Sequence, residues 1–238
     1  MNTKAQARLR ALRAAFPYTL PIMAGFLFLG ITYGVYAVQS GLKFWVPMLT
    51  SLTVFGGSLE FVIVPLLAGP FNPLQAIFVS LMVQARHLFY GISLLERYRG
   101  AGAKKTYMIF GLCDETFSIN CGVDVPPGID RGWFMFFVTL LDQFYWFLGA
   151  SLGALFGMLI RFNTEGLDFA MTALFVVIFI EQWRKDRQHI SAMLGLGLSA
   201  ASLLIFGADN FLLPAMGAIL AALALLRGPI EAKGGARA

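Results

Sequence analysis

The chain has 238 residues, 58% of them hydrophobic and only 13% charged, with a net charge of +5. A soluble domain carries about 25% charged residues, so this composition cannot cover a water-facing surface and makes lipid the solvent. The excess of basic charge does not describe a nucleic-acid groove: 14 of the 18 Lys and Arg residues fall in four short clusters between apolar runs, the pattern of membrane topology signals.

The expected fold is therefore all-α: a polytopic integral membrane protein with about six to eight transmembrane or re-entrant helical segments, each span needing about 20 residues. It reads as one membrane-embedded domain over residues 1–238, with a helical bundle at 16–226 and cytoplasmic tails at 1–15 and 227–238. Cys113 and Cys121 lie in or beside an apolar segment without metal-ligand spacing and read as small apolar filler.

Residues 1–15 form a short amphipathic start carrying Lys4, Arg8, Arg10 and Arg13. The apolar run from Phe16 to Val38 is too long for the core of a secretory signal, about 7–15 residues, and reads as a retained span. Pro17 and Pro21 suit its first turns, and Gly25, Gly30 and Gly34 give it a smooth face. The next run, Phe44 to Ala68, is interrupted at Gly56-Gly57, and Ser58 suits the cap of a new helix. Backbone N–H groups at such a half-helix start can hold a carboxylate. Glu60 lies just beyond, an ionisable group at membrane depth.

Asn72 and Pro73 open a helix to Leu95 that carries Gln84, Arg86 and His87. Gln84 and His87 share a face, and Arg86 points about 100° away from His87. Arg86 needs an acidic partner, for which Glu60, Asp114, Glu115 and Asp142 are candidates, unless it snorkels to the membrane boundary. Arg97, Arg99, Lys104 and Lys105 make a basic loop. The segment Thr106 to Asn120 is short for a span; its apolar lead-in followed by Asp114 and Glu115 suggests a dip into the membrane. Trp133 to Ile160 spans, carries Asp142, and contains two overlapping GxxxG frames through Gly149, Gly153 and Gly157, a packing face for another helix. Such a face argues for a heteromeric assembly. Phe169 to Trp183, Ile190 to Phe206 and Phe211 to Leu226 complete the apolar segments, the last two flanking a turn at Gly207–Asn210.

Substrate contact is expected from Gly56, Gly57, Ser58, Glu60, Gln84, Asp114, Glu115 and Asp142, and ion pairing or coupling from Arg86, His87, Glu60 and Asp114. No metal site and no cofactor are expected. An enzyme is not expected either: the chain lacks a G-x-S-x-G frame, an H-E-x-x-H motif and a P-loop.

Four stretches, Gly56-Gly57-Ser58-Leu59-Glu60-Phe61, Arg86-His87-Leu88-Phe89-Tyr90-Gly91-Ile92-Ser93, Asp114-Glu115-Thr116-Phe117 and Gly166-Leu167-Asp168-Phe169-Ala170, come in an order and spacing that resemble the AzlC-type branched-chain amino acid permeases. The resemblance runs from about Phe16 to Leu226 and departs from the family pattern in placing Glu60 after the glycines. It implies a bacterial plasma-membrane exporter of valine, leucine and isoleucine, in some members also methionine. It also implies a small AzlD-type membrane subunit as partner, and the complex is expected to dimerise again. The alternative from the residues alone is a transporter or channel for another small metabolite.

The positive-inside rule places all four basic clusters in the cytoplasm. An even number of crossings must then separate successive clusters. Phe44–Ala68 and Thr106–Asn120 are the segments expected to enter and leave on one side, their breaks meeting at the substrate site.

Overall fold

The computed structural model describes residues 3–70, 72–159 and 189–226, and residues 173, 176, 179, 180, 183 and 184 between the last two stretches. All secondary structure among them is helical. The chain divides into two compact units, Met1–Met171 and Thr172–Ala238.

Two long helices frame the first unit. Helix α1 (Thr3–Gln39) and helix α7 (Arg131–Leu159) are both long and apolar enough to cross a membrane. The 37 residues of α1 span about 55 Å at 1.5 Å per residue, well beyond the roughly 30 Å hydrocarbon core. The helix begins at Thr3 and not at the apolar run, so the basic start is a helical extension with Arg8, Arg10 and Arg13 exposed. Pro17 and Pro21 accordingly sit in the helix interior and not in its first turns.

Helices α1 and α7 run parallel and very close. Arg8 lies over the Trp133 ring, Thr19 Oγ1 meets the Tyr145 hydroxyl at 3.2 Å, and Gln39 Nε2 donates to the Gly157 carbonyl at 2.9 Å. The glycines make this contact. A Cβ on Gly34 would collide with the Ala150 carbonyl, one on Gly153 with the Ile31 carbonyl, and one on Gly149 would stand 2.9 Å from the Phe26 carbonyl. The GxxxG frames of α7 are thus filled by α1 of the same chain, and they offer no face to a second protein.

The two breaks divide the intervening segments into pairs of short helices. Helix α2 (Trp45–Thr53) starts six residues after α1 ends and points back along the bundle. Tyr33 meets Thr50 at 2.6 Å, and Gln143 Nε2 donates to the Leu52 carbonyl at 3.1 Å. The chain turns through Phe55 (φ 44°) and Gly57 (φ 51°, ψ −99°) into helix α3 (Ser58–Ala68). Gly57 is required there, because L side chains rarely adopt that backbone. Helix α4 (Pro73–Leu94) is capped by Asn72, whose Oδ1 accepts from Gln75 N at 3.2 Å. Its far end, Leu94, packs with Ala15 and Phe134 near the starts of α1 and α7. Helix α3 therefore leads back to the end at which α2 began, and α2–α3 is a re-entrant hairpin from the Gln39 end.

Helices α5 (Lys104–Phe110) and α6 (Asp114–Gly122) form the second hairpin, from the opposite, basic end. Lys104 and Arg131 line one cavity. At the tip, a Cβ on Gly111 would strike Thr139 of α7. On the way back, the Arg97 guanidinium donates to the Cys121 and Val123 carbonyls at 2.5 and 3.0 Å, satisfying carbonyls that a helix C-terminus leaves open. Thr106–Asn120, expected as one dipping segment, is two helices around Gly111-Leu112-Cys113.

In the second unit, helix α8 (Ile190–Asn210) kinks at Gly207 (φ 73°) and is followed by helix α9 (Leu212–Leu225). The expected turn at Gly207 is this kink. Leu204, Ile205 and Leu225 are 86%, 73% and 83% exposed. Side chains of this size left bare in water are costly; in a membrane they face lipid. The chain is an all-α integral membrane protein. The Gly166–Ala170 motif, Glu181, Gln182, Lys185, Arg187 and the basic residues from Arg227 onward lie outside the described residues.

Candidate functional site

The two hairpin tips meet α4 and α7 at mid-depth. Asp142 and Trp146 stand 11 and 15 residues beyond Arg131 in α7, about 16–22 Å along the axis, near the middle of the membrane.

Arg86 of α4 is the central side chain. Its Nη1 lies 2.9 Å from Asp114 Oδ2, at the first residue of α6. Its Nη2 donates to Ser58 Oγ at 3.2 Å, at the first residue of α3. One guanidinium thus bridges the starts of both half-helices, each a positive dipole end that favours negative charge. Arg86 and Asp114 are 31% and 32% exposed, so a small solute can reach them. Gln84, two residues earlier, donates to the Gly56 carbonyl at 3.2 Å. Arg86 Nε and Gln84 Oε1 are buried without a hydrogen-bond partner among the described residues, and such atoms are rare in finished cores.

The remaining expected residues take different positions. Glu60 is fully buried, and one oxygen, Oε2, accepts from Gly56 N and Gly57 N at 3.2 Å each and from Trp146 Nε1 at 2.7 Å. Leu59 N and Glu60 N bond the Gly56 and Gly57 carbonyls. The N–H groups expected to hold a solute carboxylate are thus already taken by Glu60, leaving the partly exposed Arg86 and, behind it, the buried Ser58 Oγ as the remaining donors. Asp142 is also fully buried and accepts from Thr116 Oγ1 at 3.1 Å. Glu115 is half-buried on the first turn of α6 beside Asp114. His87 does not join the ion pair; its ring meets Tyr90 edge-on at 5.5 Å, and Tyr90 stacks on Phe117 at 4.4 Å. Tyr90 and Phe117 therefore stack one helical turn from Arg86 and Asp114, with the Tyr90 hydroxyl bonded to Asp114.

The site divides into two layers. Arg86 and Asp114 form a reachable polar centre backed by Ser58 and Gln84, and Glu60 and Asp142 anchor the two tips to α7. The anchors' partners, Trp146 for Glu60 and Thr116 for Asp142, are not among the expected residues, nor is the bridge from Tyr107 through Gln143 to the Leu52 carbonyl. Trp146 follows Asp142 by four residues, the spacing that puts two side chains on one helix face, and that was the available signal.

Residues 21–160, more than half of the chain, match the model of the family described as AzlC protein. A branched-chain amino acid transport protein, AzlC, of Bacillus subtilis is 58% identical over 97% of this chain and 91% of its own length. An uncharacterized membrane protein of Haemophilus influenzae is 48% identical over 87% of this chain and 85% of its own. The inner membrane protein YgaZ of Escherichia coli is 26% identical over 78% and 79%. No solved structure matches the chain. The chain belongs to the AzlC protein family.

Proposed function

We propose that this chain moves branched-chain amino acids, valine, leucine and isoleucine, and methionine with them, out of the cell across the bacterial plasma membrane. It does so as the large subunit of a secondary transporter whose small subunit is of the AzlD type. The observation that carries the reading is the one-third-exposed ion pair of Arg86 and Asp114 at 2.9 Å, set between two half-helix starts. The pair is the mirror of an amino acid zwitterion. On binding, the substrate carboxylate accepts from Arg86 and Ser58 Oγ, and its ammonium donates to Asp114. Each partner exchanges one charge-assisted contact for another, so the site does not leave a buried charge alone. Tyr90 and Phe117 take the branched side chain.

The name of the Bacillus subtilis relative supports the substrate class; outward direction and the small subunit are what the family resemblance implies. Both termini are cytoplasmic in this reading. Supporting it, Arg8 and Lys104 occupy the same Trp133 ring at 4.4 and 4.5 Å, so the first two basic clusters share one end of the bundle, as two crossings and one re-entrant hairpin between them require.

The test is amino acid content of cells carrying the chain with and without a small AzlD-type subunit, loaded with each of the 20 amino acids. The proposal expects valine, leucine, isoleucine and methionine to leave faster, and Arg86→Gln and Asp114→Asn to abolish the effect at normal protein levels. Export of an unrelated metabolite with all amino acids retained would favour the rival transporter or channel reading instead.

A further inference from the structure

A second polar cavity lies at the basic end, well away from the Arg86 centre. It holds about 220 Å³ and is lined by Arg97, Arg99, Lys104 and Arg131, with Asp130 its one acid. That acid is engaged, since its Oδ1 caps α7 by accepting from Trp133 N at 2.8 Å. Arg97 is tied by two of its nitrogens to the end of α6, and its buried Nε has no partner among the described residues. Arg99 reaches only the exposed Glu96, at 3.5 Å. No ion pair forms at Lys104 or Arg131 among the described residues. Lys104 instead covers one indole, Trp133, that Arg8 also covers. Four cations thus line one small space whose own carboxylate is occupied; Arg97 reaches Asp124 at 4.0 Å outside it, which leaves the charge of Lys104 and Arg131 for an anion to balance.

The surroundings indicate which anion. Tryptophan is enriched where headgroups meet hydrocarbon, and Trp133 marks that level here. A polar pocket at that level, joined to the Trp133 ring through Lys104, suits a ligand with a charged head and hydrocarbon tails. The volume suits a headgroup better than a whole metabolite, whose pockets run to about 300–1,000 Å³. We infer that the cavity of Arg97, Arg99, Lys104 and Arg131 holds the phosphate of an anionic phospholipid. Basic pockets between helices at a membrane boundary bind anionic headgroups in this way. The lipid would join α5, the 97–105 loop and the start of α7, and so brace the base of the second hairpin.

The test uses the full chain purified in detergent, with thermal unfolding followed upon adding phosphatidylglycerol, phosphatidylcholine or inorganic phosphate. Phosphatidylglycerol is expected to raise the midpoint by several degrees over phosphatidylcholine, and millimolar inorganic phosphate to leave it unchanged. In the double variant Lys104→Gln/Arg131→Gln, phosphatidylglycerol affinity should fall about 30-fold, as expected for two surface cations. The Lys43→Gln control should bind as the parent does. Native mass spectrometry of the same samples reads the lipid-bound species directly, so a variant of lowered stability is still scored. Equal effects of the two lipids, full binding by the double variant, or an equal shift with inorganic phosphate would each overturn the lipid assignment; the last would make the cavity a free-anion site.

Discussion

Trp146 donates its indole N–H to Glu60 at 2.7 Å, joining the first hairpin tip to α7 across 86 positions of sequence. Both groups are buried, and the carboxylate collects this bond together with two backbone N–H groups at the break. Removing one partner of a buried hydrogen-bonding group costs about 1–3 kcal/mol. Trp146→Phe should therefore lower the unfolding midpoint in detergent. Glu60→Ala, which orphans three donors at once, should lower it further than Glu60→Gln, whose amide oxygen still accepts. Equal midpoints for Glu60→Ala and Glu60→Gln would show that the bonds do not hold the break.

The glycines give a contrast within one helix pair. Gly25 has open space where a Cβ would stand, whereas Gly34 and Gly153 have backbone in contact. Gly25→Ala should be neutral or stabilising, by up to about 1 kcal/mol from helix propensity. Gly34→Ala and Gly153→Ala should each cost about 1–3 kcal/mol or more through overpacking. Fluorescence-detected gel filtration after heating measures both, and a Gly153→Ala protein as stable as Gly25→Ala would contradict the α1–α7 packing.

The Arg86–Asp114 pair predicts non-additivity. Arg86→Gln and Asp114→Asn each strand a charge at mid-depth, and each should lose export. The double variant should fold better than either single variant, because it leaves no unpaired charge, yet still not transport. Double-mutant stabilities that simply add would mean the two groups do not interact.

A secondary transporter requires a coupling ion, and the ionisable groups at the site are the candidates for a proton. Export should be assayed against pH for Glu60→Gln, His87→Gln, Asp114→Asn, Glu115→Gln and Asp142→Asn. At least one variant that is still active should show a flattened profile. Five unaltered profiles would remove proton coupling through these side chains.

The hairpins place the 97–105 loop and the α3–α4 turn at opposite ends of the bundle. In a background with Cys113→Ser and Cys121→Ser, Ala103→Cys should be shielded from an impermeant thiol reagent added outside intact cells, and Gln75→Cys should react. Reaction at Ala103 from outside would remove the re-entrant topology.

Much of this architecture is legible in the sequence because membrane burial makes exceptions conspicuous. A Gly-Gly-Ser break, an arginine and a pair of adjacent acids each stand out against an apolar background, and the structure brings Ser58, Arg86 and Asp114 within one hydrogen-bonded group. Counting basic clusters also marks the two irregular segments that the structure folds as hairpins. Pairing is what sequence leaves open. The glycines of α1 and α7 are both visible as smooth faces, but nothing local says that they face each other and not a second protein. Thr116, Gln143 and Trp146 are ordinary residues for a membrane helix, and their roles depend on which carboxylate or carbonyl lands opposite. The start of α1 is obscured for another reason: charge density marks where the hydrocarbon ends, and a helix can continue past that boundary into water.

Because one hairpin enters from each end, the Arg86 centre is separated from either solution by only about half of the hydrocarbon thickness. The membrane voltage drops across that thickness, at about 2.3 kcal/mol per charge per 100 mV for a full crossing. A zwitterion carries no net charge through this field, and exchanging it with the Arg86–Asp114 pair adds none. In the proposed cycle the electrical work then falls entirely on the coupling ion, at about half the full figure for a charge that reaches mid-depth. The dependence of flux on membrane potential therefore reports the path of the ion and is silent about the substrate.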